Sequence, residues 1–239
     1  MHAKHLVQPE RRTRDNSDPG GPASFQRRLL RWHLSHQRDF SWRRNRTPYR
    51  VLIAELFLQR TQAQQIVPVF RSFLREYPTP ARLARARLPS LRRSLRSLGL
   101  IGRASRLREM AREIVRLHGG RVPGRMEDLL ALTGVGRYAA AAVLCFAFGI
   151  EGPIVDANVV RVLQRVFGLR SARARPHTDD GLWDLARRLL PLGRAANFNY
   201  ALLDLAALVC LPRKPRCPEC AIRPFCAWAA LPDDKHGAS

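Results

Sequence analysis

From Ser24 to Val209 the apolar residues of this chain recur at three- and four-residue spacing, and strand-like alternation is almost absent. That pattern confines it to an all-α fold. Phe25, Leu29, Leu30, Trp32 and Leu34 mark a first amphipathic helix, with Ser24 as its expected N-cap. Pro48 and Tyr49 open a second, with Leu52, Ile53, Leu56, Phe57 and Ile66 as apolar positions. A third periodic stretch ends near Tyr77 and Pro78, and short helices follow at about 80–87 and 89–97. A longer one runs from about 103 to 117 on the stripe Leu107, Met110, Ala111, Ile114 and Val115, and Gly119-Gly120 stops it. Helices at about 125–132, 137–149, 156–167, 181–191 and 197–209 complete the set. Residues 1–22 read as a flexible basic tail and 231–239 as a second tail.

Charge narrows the partner. Of 239 residues, 42 are Lys or Arg against 19 Asp or Glu, a formal net charge of +23 that favours a polyphosphate ligand bound in a salt-dependent way. Lysine occurs only at positions 4, 214 and 235. A compositional bias explains arginine over lysine, but not the excess of cations over anions. The N-terminus has no apolar signal region, and the longest apolar run, Ala139 to Ile150, is too short to span a bilayer. A soluble, cytoplasmic, nucleoid-associated monomer with no membrane partner is expected.

Three segments carry chemistry. Cys210, Cys217, Cys220 and Cys226 fall within 17 residues as C-x6-C-x2-C-x5-C, with Arg213, Lys214 and Arg216 between the first two. Clustered cysteines in a reducing compartment are metal ligands more often than disulfides. Zinc and an iron–sulfur centre both use four thiolates, but zinc sites usually pair two C-x2-C knuckles, and only one is present. Cys145 lies in an apolar helix and reads as core. In Leu132-Thr133-Gly134-Val135-Gly136-Arg137-Tyr138 a Gly-x-Gly turn opens an alanine-rich helix, so that amides of Gly134, Val135, Gly136 and Arg137 can meet a phosphate. In Val155-Asp156-Ala157-Asn158-Val159-Val160-Arg161-Val162, Asp156 opens a helix and, on that segment alone, reads as its N-cap.

The hairpin, the aspartate some twenty residues on and the four-cysteine loop, in that order, resemble the helix-hairpin-helix (HhH-GPD) base-excision DNA glycosylases, the superfamily of endonuclease III and the adenine mismatch glycosylases. The likeness covers roughly residues 25–230. It is nearest the archaeal-type thymine-DNA mismatch glycosylases, through Tyr138, Val-Asp-Ala-Asn and the Arg-Lys-Pro-Arg-Cys run ending at Cys217. The resemblance implies two helical domains with a DNA-binding cleft between them. One is a six-helix barrel, about 45–152, carrying the hairpin. The other joins 23–44 to 153–230 and holds a [4Fe–4S] cluster on the four cysteines, with Arg213, Lys214 and Arg216 directed at phosphates. Because hydrolysis needs no electrons, that cluster is expected to be structural.

It also implies roles. Asp156 becomes the catalytic carboxylate that stabilises an oxocarbenium-like sugar, as in glycoside hydrolysis, with Asn158 and Tyr138 hydrogen-bonding around it. Glu55, an acid inside an apolar helix, is either a buried ion-pair member or a pocket acid that hydrogen-bonds to or protonates the leaving base. Gln59, Arg60, Leu100 and Ile101 stand where the family inserts wedges into the base stack, although Leu100 and Ile101 also read as core. Tyr138 replaces the lysine whose amine forms a Schiff base in bifunctional members, and no lysine lies between positions 4 and 214. A monofunctional enzyme acting on double-stranded DNA with a mispaired base follows.

Thymine or uracil opposite guanine is the expected target, with adenine opposite guanine or 8-oxoguanine as the alternative. Arg60 resembles the thymine branch, while Gln59 and Thr61-Gln62 resemble the adenine branch, and Thr133 replaces the proline common to both. A non-catalytic iron–sulfur DNA-binding protein is the alternative of another class. Asp204 reads as a tie between helices. Arg161 and Arg165 read as a solvated face or as phosphate contacts.

Overall fold

The structure, a computed structural model, describes residues 21–59 and 61–231. The expected N-terminal tail up to residue 20, Arg60, and all but Leu231 of the C-terminal tail lie outside the described residues. The described residues contain helices and turns but no strand. The helices are α1 (Pro22–His36), α2 (Ser41–Arg44), α3 (Pro48–Leu58), α4 (Ala63–Glu76), α5 (Pro80–Ala84) and α6 (Leu88–Ser94). They continue as α7 (Ala104–His118), α8 (Met126–Leu130), α9 (Arg137–Ala147), α10 (Ala157–Phe167), α11 (Asp180–Arg188) and α12 (Ala195–Leu208). None is long and apolar enough to cross a membrane.

The chain divides into two compact units, one of Asp39–Ile150 and one of the segments on either side. The central unit is built on two helices that are apolar on almost every face and therefore buried, α3 and α9. Val51 to Phe57 of α3 and Ala139 to Phe146 of α9 are all inaccessible, and the alanines of α9 let the two helices pack together. Phe73 meets Phe57 of α3 edge-on and Tyr77 at a tilt, each at 5.0 Å. Residues 39–44, expected with the N-terminal helix, belong to this unit for an aromatic reason. Phe40 stacks on Trp42 at 4.7 Å, and Trp42 meets Phe70 of α4 edge-on at 5.2 Å. On its flank α7 packs against α5 and ends, as the sequence requires, at a left-handed Gly119 with φ +58°.

In the flanking unit α1 lies on α12, and α12 on α10. Phe25 of α1 centres this core against Phe167, Phe198 and Phe225, at 6.1, 6.2 and 5.6 Å. Asp204 of α12 is fully buried and accepts bonds from Arg38 Nε (2.6 Å) and the Arg38 amide (3.2 Å), with His33 Nδ1 3.6 Å away. Breaking such a buried pair costs on the order of 3–5 kcal/mol. Asp204 is the tie between helices that the sequence suggested. Ser24 is not the N-cap of α1. The helix starts two residues earlier, because Pro22 presets φ at its first position, and the Gly21 carbonyl accepts from the amides of Ser24 and Phe25.

Candidate functional site

Asp156 is held by its own helix. It is the N-cap of α10, and Oδ1 accepts from the amides of Asn158 (2.9 Å) and Val159 (2.7 Å). Oδ2 accepts from Asn158 Nδ2 at 2.8 Å. The carboxylate is half-buried at a helix N-terminus, where the backbone dipoles favour negative charge. The capping role is therefore real, and it leaves the anion oriented. Asn158 is itself fixed: its Oδ1 accepts from Arg161 Nη1 at 3.1 Å.

Arg161 then reaches the cysteine loop, donating through Nε to the Cys210 carbonyl (2.8 Å) and through Nη2 to the Ala206 carbonyl (2.9 Å). One turn on, Arg165 donates to the carbonyls of Leu211 (2.7 Å) and Pro212 (2.8 Å) and lies 4.9 Å over the Trp228 ring. Both arginines are thus turned inward. The expectation of a solvated face or of phosphate contacts is corrected for each: their donors are spent on carbonyls that no helix satisfies. A continuous path of hydrogen bonds runs from Asp156 through Asn158 and Arg161 to the chain at Cys210.

Cys210, Cys217, Cys220 and Cys226 line one small pocket together with Val162, Leu205 and Ile222. All are half-buried, and no disulfide joins them. Burial pushes the Cys220 thiol up to about 11 and raises that of Cys226, and neighbouring thiolates add to both shifts. Among the described residues no three or more Cys, His, Asp or Glu side chains meet in single-ion geometry. Arg213, Lys214 and Arg216 are all exposed at the loop surface, with Arg216 facing Glu219 at 3.9 Å. Cys145 is a buried residue of α9, as expected.

The hairpin lies in the central unit between α8 and α9. Gly134 has φ +82°, a conformation that glycine adopts without strain, and the Val135 amide closes the turn on the Leu132 carbonyl at 3.1 Å. Of the four hairpin amides predicted to meet phosphate, that of Val135 is therefore committed, and its side chain is buried. Gly136 is the N-cap of α9 with no side-chain cap, and Gly136 and Arg137 are exposed. A Cβ added at either glycine would meet no atom within 4 Å. Thr133 is fastened from α7, because Glu113 accepts from its amide (2.7 Å) and from its hydroxyl (2.6 Å).

Glu55 sits on the inner helix α3 with 4% of its surface exposed, flanked by Ala54 and Leu56. Tyr138, half-buried, is in the first turn of α9, the helix on which α3 packs. Gln59 follows the last residue of α3. Leu100 and Ile101 separate: Leu100 is a core residue at 6% exposure, and Ile101 stands out at 40%. Arg103, two residues beyond, donates from Nη1 to the Leu56 carbonyl and from Nη2 to the Gln59 carbonyl, both at 2.8 Å.

These elements recur in known proteins. The HhH-GPD superfamily base excision DNA repair protein family matches residues 53–188, which takes in Glu55, the hairpin and Asp156. The chain belongs to the HhH-GPD superfamily. Within it, the thymine-DNA glycosylase of Aeropyrum pernix is 42% identical over 215 residues, covering 88% of this chain and 96% of that protein. The thymine/uracil-DNA glycosylase of Pyrobaculum aerophilum is 40% identical, covering 83% and 88%. The structure of a thermostable thymine-DNA glycosylase superposes with a TM-score of 0.83 at 36% identity, over 90% of this chain and 99% of that one.

In this HhH-GPD protein the supporting residues Arg103 and Glu113 escaped the sequence reading, and the inward role of Arg161 and Arg165 did as well. Three are arginines in a chain rich in them, and Glu113 lies twenty residues from the hairpin it holds. The one usable signal was position: an acid on an amphipathic helix whose neighbours are mostly basic.

Proposed function

We propose that the protein is a monofunctional DNA glycosylase that extrudes a mispaired thymine or uracil opposite guanine and hydrolyses its N-glycosidic bond. The observation that carries this reading is the 42% identity to a thymine-DNA glycosylase sustained over nearly all of both chains. In the reaction the C1′–N1 bond breaks with its electron pair going to the base, and C1′ gathers positive charge. The Asp156 carboxylate, oriented by two amides and Asn158, offsets that charge and accepts a proton from the attacking water. Glu55, buried among apolar neighbours, hydrogen-bonds to or protonates the departing base. Tyr138 has no amine with which to form an imine, so the product is an intact abasic site. Ile101, with Gln59 and Arg60, fills the gap in the stack, while Leu100 supports the turn from below.

Exposed Gly136 and Arg137, together with Arg213 and Lys214, contact phosphates. The four cysteines hold a [4Fe–4S] cluster. The four thiols line one pocket, and their sequence holds a single C-x2-C knuckle where zinc sites usually pair two, which favours a cluster over one zinc. Four half-buried thiolates also need a cationic centre to remain charged side by side. When bound, the cluster cross-links the loop and takes no part in hydrolysis.

The test uses end-labelled duplexes bearing T:G, U:G, A:G or A:8-oxoguanine, incubated with the protein and then with or without alkali. Strand breaks at T:G and U:G that appear only after alkali are expected. Breaks without alkali remove the monofunctional assignment, preference for the adenine duplexes reassigns the base, and inertness on all four overturns the glycosylase reading. Asp156→Asn lowers the single-turnover rate by at least roughly 10²–10³-fold while sparing duplex binding.

A further inference from the structure

The turn of Gly99, Leu100, Ile101, Gly102 and Arg103 and the segment that leaves α3 at Gln59 are far apart in sequence. We propose that Arg103 is a positioning residue that makes them one mechanical piece, so that the two elements that enter the base stack move together. The inference rests on the glycosylase reading for what these elements do, but the clamp itself rests on geometry.

Arg103 belongs to the first element through its backbone, its amide donating to the Leu100 carbonyl at 2.8 Å. It belongs to the second through its side chain, with one guanidinium nitrogen on Leu56 and the other on Gln59. The last carbonyls of α3 have no intrahelical donor, and the residue after the helix, Gln59, has extended backbone at φ −61° and ψ 107°; the Thr61 amide returns only to the Leu58 carbonyl, at 3.3 Å. A planar fork is suited to two carbonyls at once, and a lysine ammonium is a single point that reaches one. Arg103 is half-buried, so the fork is shielded from competing water. Ile101, 40% exposed, is two residues from this fork, whereas Leu100 beside it is anchored in the core. Within that turn Ile101 is the exposed apolar side chain, and the turn is closed by the backbone amide of the residue whose side chain holds Gln59.

A simple C-terminal cap for α3 would stabilise the helix without linking the two elements. The two readings separate in measurements on the full chain carrying Asp156→Asn, which halts base release, with Arg103→Gln or Arg103→Lys added. Amide exchange reports segments 57–62 and 99–103, and 2-aminopurine beside the thymine of a T:G duplex reports unstacking. Fluorescence anisotropy gives affinity. With Arg103→Gln, exchange should rise about tenfold in both segments together. The aminopurine signal should fall by about half or more while affinity stays within about threefold, since misplacing a positioned group affects the later step more than encounter. Arg103→Lys should recover part of both readouts. In the Asp156 protein, single-turnover base release should fall on the order of tenfold to a hundredfold with Arg103→Gln.

Faster exchange in segment 57–62 alone, with an undiminished aminopurine signal, identifies a helix cap and overturns the proposal. Faster exchange in both segments, with no aminopurine response even when Arg103 is present, leaves the clamp standing and removes the base-extrusion reading instead. If Arg103→Gln does not fold, the lysine variant carries the comparison: exchange and signal equal to those of the arginine protein overturn the need for a fork.

Discussion

The hairpin and the cysteine loop are both glycine- or proline-punctuated basic segments, yet they are supported in opposite ways. Arginines of α10 reach under the cysteine loop and fill its inward carbonyls, so the cations in contact with the loop backbone are structural and those left exposed are Arg213, Lys214 and Arg216. An acid supports the hairpin instead. Glu113 takes the first amide and hydroxyl, Val135 closes the turn, and the uncapped start of α9 is left exposed. Carbonyls are satisfied by cations and amides by an anion, and what remains on the surface is the group the support did not use. Net charge alone would assign both segments the same job.

The contrast is open to attack in order of expected effect. Arg161→Ala strands the carbonyls of Ala206 and Cys210 and frees Asn158, and should lower stability by about 2–4 kcal/mol in thermal or denaturant unfolding. It should also slow base release, because Asn158 no longer steadies Asp156. An unchanged melting temperature would return Arg161 to the surface role first assigned to it. Glu113→Ala leaves a partly buried amide and hydroxyl unsatisfied, a loss of about 1–3 kcal/mol, with faster amide exchange confined to residues around 132–136. Gly136→Ala meets no protein atom and should leave the melting temperature alone, while duplex affinity falls about tenfold, or 1.4 kcal/mol. Equal affinity would mean that no phosphate approaches there. Lys214→Ala is the mildest change: affinity should drop uniformly across sequences, and the slope of log affinity against log salt should shrink by about 1.

Much of this architecture could be read from the sequence because helices announce themselves by period. The stripe of α7, its glycine stop, the buried faces of α3 and α9 and the opening of α10 at Asp156 all follow from spacing and capping chemistry. Leu100 and Ile101 could not be separated, because burial of a loop residue is decided by elements far along the chain. Ser24 misled because proline two residues earlier can start a helix without a side-chain cap. Arg161 and Arg165 were illegible for a different reason. A charged residue on an amphipathic helix has the same sequence signature whether it points to water or to a stranded carbonyl, and only the fold supplies the carbonyl.

The bond from the Thr133 amide to Glu113 reaches beyond this molecule to its relatives. Proline at that position has no N–H to give and no hydroxyl beside it, so the acid on α7 would lose both of its donors there at once. The two positions form a lock and its key twenty residues apart in sequence. Thr133→Pro alone should therefore harm the fold more than Thr133→Pro combined with Glu113→Leu, and lineages that exchange one of these residues are expected to exchange the other.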